Sequence, residues 1–148
     1  MAYILVVDDD DIVAEHAANV LIGAGHASGS VSEAESALAV LKRRKPHLIL
    51  LDQNMPGENG STFLRQLRAS PGFYDVPVIM LTGVQGLRDE DVAYLNGSQD
   101  YIRKPFDERM LVRAVNDTLL MRRQRGQDKP PHWAPAGDAL PEPKARFL

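Results

Sequence analysis

The chain begins with a short apolar run, Tyr3–Val7, that stops abruptly at four aspartates, Asp8 to Asp11. A run without alternation suits a strand buried on both faces, as in a parallel sheet. Ile12, Val13, Ala17, Val20, Leu21 and Ala24 then recur at helical spacing. Asp10 or Asp11 is placed to cap that helix, and Gly23 or Gly25 to end it. Residues His26–Val31 predict a weak strand. Ser32 followed by Glu35 has the spacing of a capping box and opens a helix with Ala34, Ala37, Leu38 and Leu41 inward. That helix closes on the cations Lys42–Lys45, with Pro46 beyond. Leu48–Leu51 is the next buried strand and ends on Asp52. After a turn containing Pro56, Gly57 and Gly60, a third helix carries Phe63, Leu64 and Leu67. Val76–Leu81 is a strand ending on Thr82, Leu87–Leu95 a short charged helix, and Asp100–Arg103 a fifth strand broken by Lys104–Pro105. A last amphipathic helix carries Met110, Leu111, Ala114, Val115 and Leu119.

Strands and helices alternating five times over about 120 residues predict a parallel sheet with helices on both faces, joined by right-handed crossovers. The length of 148 residues is one domain's worth, and 44% hydrophobic with 25% charged residues is ordinary globular usage. Cysteine is absent, which removes disulfides, thiolate zinc sites and thiol nucleophiles at once. No apolar stretch approaches a membrane span. The N-terminus lacks the basic leader of a secretory signal, so a cytoplasmic protein is expected. A net charge of −3 argues against nucleic acid as a direct partner.

The charge is unevenly spread. Residues 1–121 hold 11 Lys/Arg against 17 Asp/Glu, whereas residues 122–148 hold 6 against 3 together with five of the ten prolines. A compact domain over 1–121 is therefore expected, followed over 122–148 by the end of the last helix and a basic, Pro-rich tail. The tail reads either as a flexible linker or, through Trp133, Phe147 and Leu148, as a segment anchored to a neighbouring surface or a second chain. A segment this short is not expected to be a DNA-binding domain.

In open parallel sheets the working site lies at the carboxyl ends of the strands. There the chain places Asp8 and Asp9 after the first strand, Asp52 after the third, Thr82 after the fourth and Lys104 after the fifth. Three converging carboxylates repel one another, and a hard divalent cation held by oxygen ligands, Mg²⁺, removes the conflict. Mg²⁺, an ammonium and a hydroxyl around a carboxylate favour an acyl phosphate on that carboxylate. The four histidines are scattered without metal spacing, and no Gly-rich phosphate loop follows the first strand. The Lys42–Lys45 cluster fits a helix end better than a nucleic-acid patch.

With these residues in place, residues 3–121 resemble the receiver domain of two-component response regulators. The matching segments are VVDD at 6–9, LLDQNMPGENG at 50–60, VIMLTG at 78–83 and DYIRKPF at 100–106. The resemblance implies a flavodoxin-like doubly wound (βα)5 fold with strand order 2-1-3-4-5. It implies that Asp52 is the phosphoacceptor, served by a sensor histidine kinase or a histidine phosphotransfer protein. Asp9 and Asp52 would bind Mg²⁺ directly, Asp8 through water and Asn54 through its backbone carbonyl. Lys104 would pair with the phosphoryl group, with a cis peptide before Pro105. Thr82 would turn to a phosphoryl oxygen and Tyr101 would follow it inward. Departures are Gly83–Val84 after the threonine and Ser98–Gln99 before the fifth strand.

The expected function is a single-domain switch, not a free-standing enzyme. It would signal to a downstream protein, or form a homodimer, through the face of the fourth predicted helix, the fifth strand and the last helix. Two alternatives stand beside it. One is a receiver fragment of a larger regulator with an output domain. The other is a phosphotransferase with an Asp nucleophile, which would need a second carboxylate two residues on, where the chain has Asn54.

Overall fold

The computed structural model describes residues 2–55, 60–83 and 97–127. Five strands, β1 (Tyr3–Val7), β2 (Ala27–Val31), β3 (Leu48–Asp52), β4 (Val78–Thr82) and β5 (Asp100–Arg103), form one sheet. The helices are α1 (Asp11–Gly23), α2 (Ala34–Arg43), α3 (Gly60–Arg68) and a C-terminal helix (Glu108–Gln127). The strand order is 2-1-3-4-5 with every pairing parallel, the doubly wound arrangement expected. The predicted helix over 87–95, the turn residues Pro56 and Gly57, and the tail with Trp133, Phe147 and Leu148 lie outside the described residues.

The period of two in each strand divides the core in half. Leu5, Val7, Ile49, Leu51, Val78 and Met80 face α2 and α3, meeting Ala37, Leu41, Phe63, Leu64 and Leu67. Ile4, Val6, Leu48, Leu50, Ile79 and Leu81 face the other way, onto Ala14, Ala17 and Leu21 of α1 and Leu111 and Val115 of the C-terminal helix. Each fully buried aliphatic side chain contributes roughly 1.5–3 kcal/mol. Helices on both faces are why these strands read as unbroken apolar runs.

Three expectations are corrected. Ile12 is 81% exposed, and Ala14 and Ala18 are buried in its stead. Small residues let α1 lie close to the sheet, and the bulky ones rotate outward. Met110 is likewise exposed, one position from the buried Leu111. Ser32 does not cap α2: Glu33 occupies the N-cap in extended conformation and makes no side-chain cap hydrogen bond. At α1 the choice between two aspartates resolves to Asp10, which accepts from Ile12 N at 3.0 Å and Val13 N at 3.2 Å. Gly25, at φ +98°, makes the turn after α1.

The C-terminal helix runs on to Gln127. Among the described residues no helix is long and apolar enough to cross a membrane.

Candidate phosphoryl-transfer site

The backbone delivers the site residues before their side chains act. Asp8 N donates to Val31 O at 3.1 Å, Gln53 N to Leu81 O at 2.9 Å and Lys104 N to Thr82 O at 2.8 Å, so the strand exits are tied to one another. Asp8, Asp52 and Thr82 are all buried. Asp8, Asp9 and Asp52 each offer a carboxylate oxygen within 4.8 Å of the others, Asp9 from an exposed position.

Lys104 holds the group together. Its Nζ lies 3.0 Å from Asp52 Oδ1 as a hydrogen bond and 2.9 Å from Asp8 Oδ2 as an ion pair. The second contact is not aligned as a hydrogen bond, so Asp8 Oδ2 has charge compensation without a directed donor. Asp8 Oδ1 accepts from Asp10 N at 2.9 Å. Asp52 Oδ1 also takes a long bond of 3.3 Å from Asn54 N. The Lys104–Pro105 peptide is cis.

One ammonium does not balance this much buried carboxylate. Burial pushes the Asp52 carboxyl up to about 7; Lys104 pulls against that rise, and the charge of Asp8 and contact with Asp9 add to it. Lys104 is raised, since its pairing with Asp8 and Asp52 outweighs its own burial. A site left with excess negative charge and only oxygen donors fits a hard divalent cation. Asp8, Asp9 and Asp52 are the residues that would hold it.

Thr82 Oγ1 is buried and has no hydrogen-bond partner among the described residues. A hydroxyl in that condition is a donor in reserve. Tyr101 is half-buried, paired in register with Met80 and packed on the core face shared by α2 and α3. The structure thus brings Asp8, Asp9 and Asp52 within reach of one another and Lys104 into contact with Asp8 and Asp52. It sets Thr82 at the adjoining strand end and Tyr101 two positions earlier along β5.

Reading the sequence missed the charges at the opposite, amino end of the sheet. Arg68, at the end of α3, donates to Gly97 O, Tyr74 O, Val76 O and Gln99 Oε1 through five hydrogen bonds of 2.8 to 3.1 Å. Gln99, noted above only as a departure, also accepts from Val78 N at 2.7 Å. Asp75 meets Lys45 at 3.0 Å and Arg122 at 3.1 Å. Arg122 also donates to the Asp75 backbone carbonyl. No local signal marks these residues, because their acceptors are mostly backbone carbonyls.

Comparison with known proteins agrees with this geometry. The chain is 37% identical over 135 residues to the DNA-binding response regulator MtrA of Mycolicibacterium smegmatis, covering 91% of this chain and 56% of that protein. It is 39% identical over 117 residues to the phosphate regulon transcriptional regulatory protein PhoB of Pseudomonas aeruginosa, covering 78% of this chain and 51% of the other. The chain therefore spans about half the length of the curated relatives it matches. The crystal structure of the receiver domain of NtrX from Brucella abortus superposes with a TM-score of 0.74 at 30% identity, covering 78% of this chain and 97% of that one. The family model of the response regulator receiver domain matches residues 4–116, and with the sheet order and the strand-end carboxylates described above, the chain belongs to that family.

Proposed function

We propose that this receiver domain is a phosphorylation switch in which Asp52 accepts a phosphoryl group from phosphohistidine on a sensor kinase or phosphotransfer protein. The observation that carries the reading is the Lys104 bridge between Asp52 and Asp8, with Asp9 alongside. An Asp52 oxygen attacks phosphorus as the P–N bond breaks, and the electron pair leaves with the imidazole nitrogen, which takes a proton. Lys104 is positioned to turn from the carboxylates to a phosphoryl oxygen. Thr82, whose hydroxyl is otherwise unpartnered, donates to another. Asp8, Asp9, Asp52 and the Asn54 carbonyl are the groups that would hold Mg²⁺, which when bound would neutralise the carboxylates and polarise the phosphoryl group.

The output follows from population shift. Engagement of Thr82 draws Tyr101 inward and biases the face formed by β5 and the C-terminal helix. The chain catalyses only its own phosphorylation and dephosphorylation, in the cytoplasm, and acts through a protein target or a second copy. The coverage of MtrA and PhoB favours a second reading, in which residues 1–121 are the switch unit of a longer regulator with a DNA-binding output domain. The full gene sequence separates the two.

The test is intact mass after incubation with Mg²⁺ and a phosphohistidine donor or acetyl phosphate. The parent gains one phosphoryl group that hydroxylamine removes, and Asp52→Asn gains none. A comparable gain on Asp52→Asn would sink the assignment.

A further inference from the structure

Two polar side chains behind the phosphoacceptor have no part in the chemistry just described. Gln53 follows Asp52 directly, and Ser61 lies in the first turn of α3; both are more than nine-tenths buried. Ser61 Oγ donates to Gln53 Oε1 at 3.1 Å. The backbone is fastened at the same place, with Gly60 N donating to Gln53 O at 2.8 Å. The fit is tight: a Cβ built on Gly60 would stand 2.3 Å from Asp52 O and 3.1 Å from Asp52 C. The start of α3 therefore rests directly on the peptide of Asp52.

From this contact we infer that Gln53 and Ser61 form a brace that sets where Asp52 and Asn54 present their oxygens, making both of them positioning residues for Mg²⁺ binding and phosphoryl acceptance. The inference rests on the reading of Asp52 as phosphoacceptor. A buried side-chain pair is worth keeping over an apolar one only where it fixes geometry, since two matched apolar groups in its place are close to neutral in stability. Here the residues it fixes lie on either side of Gln53. Asp52 has a hydrogen bond from Lys104 at 3.0 Å on the site side and the long one from Asn54 at 3.3 Å. Neither ties the loop to α3. The Gln53–Ser61 bond does so through side chains, beside the Gly60 N–Gln53 O bond of the backbone, and a shift there moves the Asn54 carbonyl and the Asp52 carboxylate together.

The test uses the full chain and four proteins: parent, Ser61→Ala, Ser61→Thr and the double variant Gln53→Met with Ser61→Ala. Three quantities are read: thermal stability, Mg²⁺ affinity by calorimetric titration without phosphodonor, and the rate of phosphorylation by acetyl phosphate. Groups that orient a ligand from behind typically change affinity or rate by about 10–100-fold when removed. Ser61→Ala is expected to lose stability and to weaken Mg²⁺ binding and slow phosphorylation about tenfold each. Ser61→Thr keeps the hydroxyl and stays close to the parent. The double variant decides the matter, because it removes both polar atoms: stability returns toward the parent, while Mg²⁺ affinity and rate stay low. Recovery of affinity and rate together with stability would overturn the brace, as would parental values in Ser61→Ala. If Ser61→Ala does not fold, the double variant carries the test alone. A parent that takes up no phosphoryl group at Asp52 overturns the phosphoacceptor reading instead, and the Mg²⁺ titration still decides the brace.

Discussion

The two ends of the sheet carry the same kinds of side chain in opposite conditions. At the amino end, the Arg68 guanidinium has all its directions filled by three carbonyls and Gln99. Asp75 sits between Lys45 and Arg122, which hold its carboxyl below the usual range despite the opposing effect of burial. At the carboxyl end, Asp8 and Asp52 share the Lys104 ammonium with Asp9 alongside, Asp52 is pushed up to about 7, and Thr82 Oγ1 has no partner among the described residues. Charge that is satisfied holds elements in place. Charge that is left over is a mismatch that a bound divalent cation would relieve.

The first way to break this comparison is to unfasten the satisfied end. Arg68→Met keeps the length of the aliphatic stem and removes every donor, taking the Arg68 bonds from Gly97 O, Tyr74 O and Val76 O, while Gln99 Oε1 keeps only Val78 N. Stranding several acceptors at one partly buried place is expected to lower stability by about 3–5 kcal/mol. Urea unfolding of parent and variant checks it. The loss should be the same with and without Mg²⁺, because Arg68 lies at the other end of the strands. Burial lowers Arg68 only to about 10, so it stays charged through neutral pH and the effect should not vary between pH 6 and 8.

The second way is to relieve the strained end, and its sign is opposite. The folded Asp52 carboxyl lies above its unfolded value of 3.8, at about 7, chiefly through burial. The folded state therefore binds more protons across that interval, and this group's contribution to stability falls as pH rises from about 4 to 7 and then levels. Asp52→Asn removes the slope. At pH 8 without divalent cation it should be more stable than the parent, by on the order of 2 kcal/mol. Thermal unfolding of both proteins at pH 5 and pH 8 reads this directly. Added Mg²⁺ should stabilise the parent more at pH 8 than at pH 5, and the variant little at either. Equal stability of parent and variant at pH 8 would mean that Lys104 already balances the site.

These two ends also differ in how far the sequence discloses them. Asp8, Asp9, Asp52 and Lys104 could be read because each stands where an apolar run stops, and the alternation of strands and helices says which ends of those runs meet. The sheet itself was legible for the same reason, since strands covered on both faces leave unbroken apolar segments at Tyr3–Val7, Leu48–Leu51 and Val78–Leu81. Helix faces were less legible. Ile12 and Met110 point to solvent while alanines line the sheet, because a helix packed closely on strands selects small residues that a search for bulky ones overlooks. Arg68 could not be read at all. Its partners are 6 to 31 residues away, and all but Gln99 are backbone carbonyls, a group that every residue carries. The Gln53–Ser61 pair was hidden differently, by the segment between its members, which gives no period from which to judge their approach.

The smallest effect tests whether the satisfied end depends on charge or on packing. Asp75, Lys45 and Arg122 are each more than a third exposed, so solvent screens their pairing. Asp75→Asn retains the shape and keeps the backbone carbonyl that Arg122 also uses. It should cost no more than about 1 kcal/mol, and less at high salt. The pH window follows from the direction of the shift. A carboxyl held below its unfolded value contributes stability that is present above pH 3.8 and is lost as pH falls below it toward the folded value. The parent and Asp75→Asn should therefore differ at pH 6 and converge near pH 3, the reverse of the Asp52 pair, whose difference opens as pH rises. A cost of several kcal/mol that ignored salt and pH would show that Asp75 acts through buried packing, and that the amino end is held by shape instead of charge.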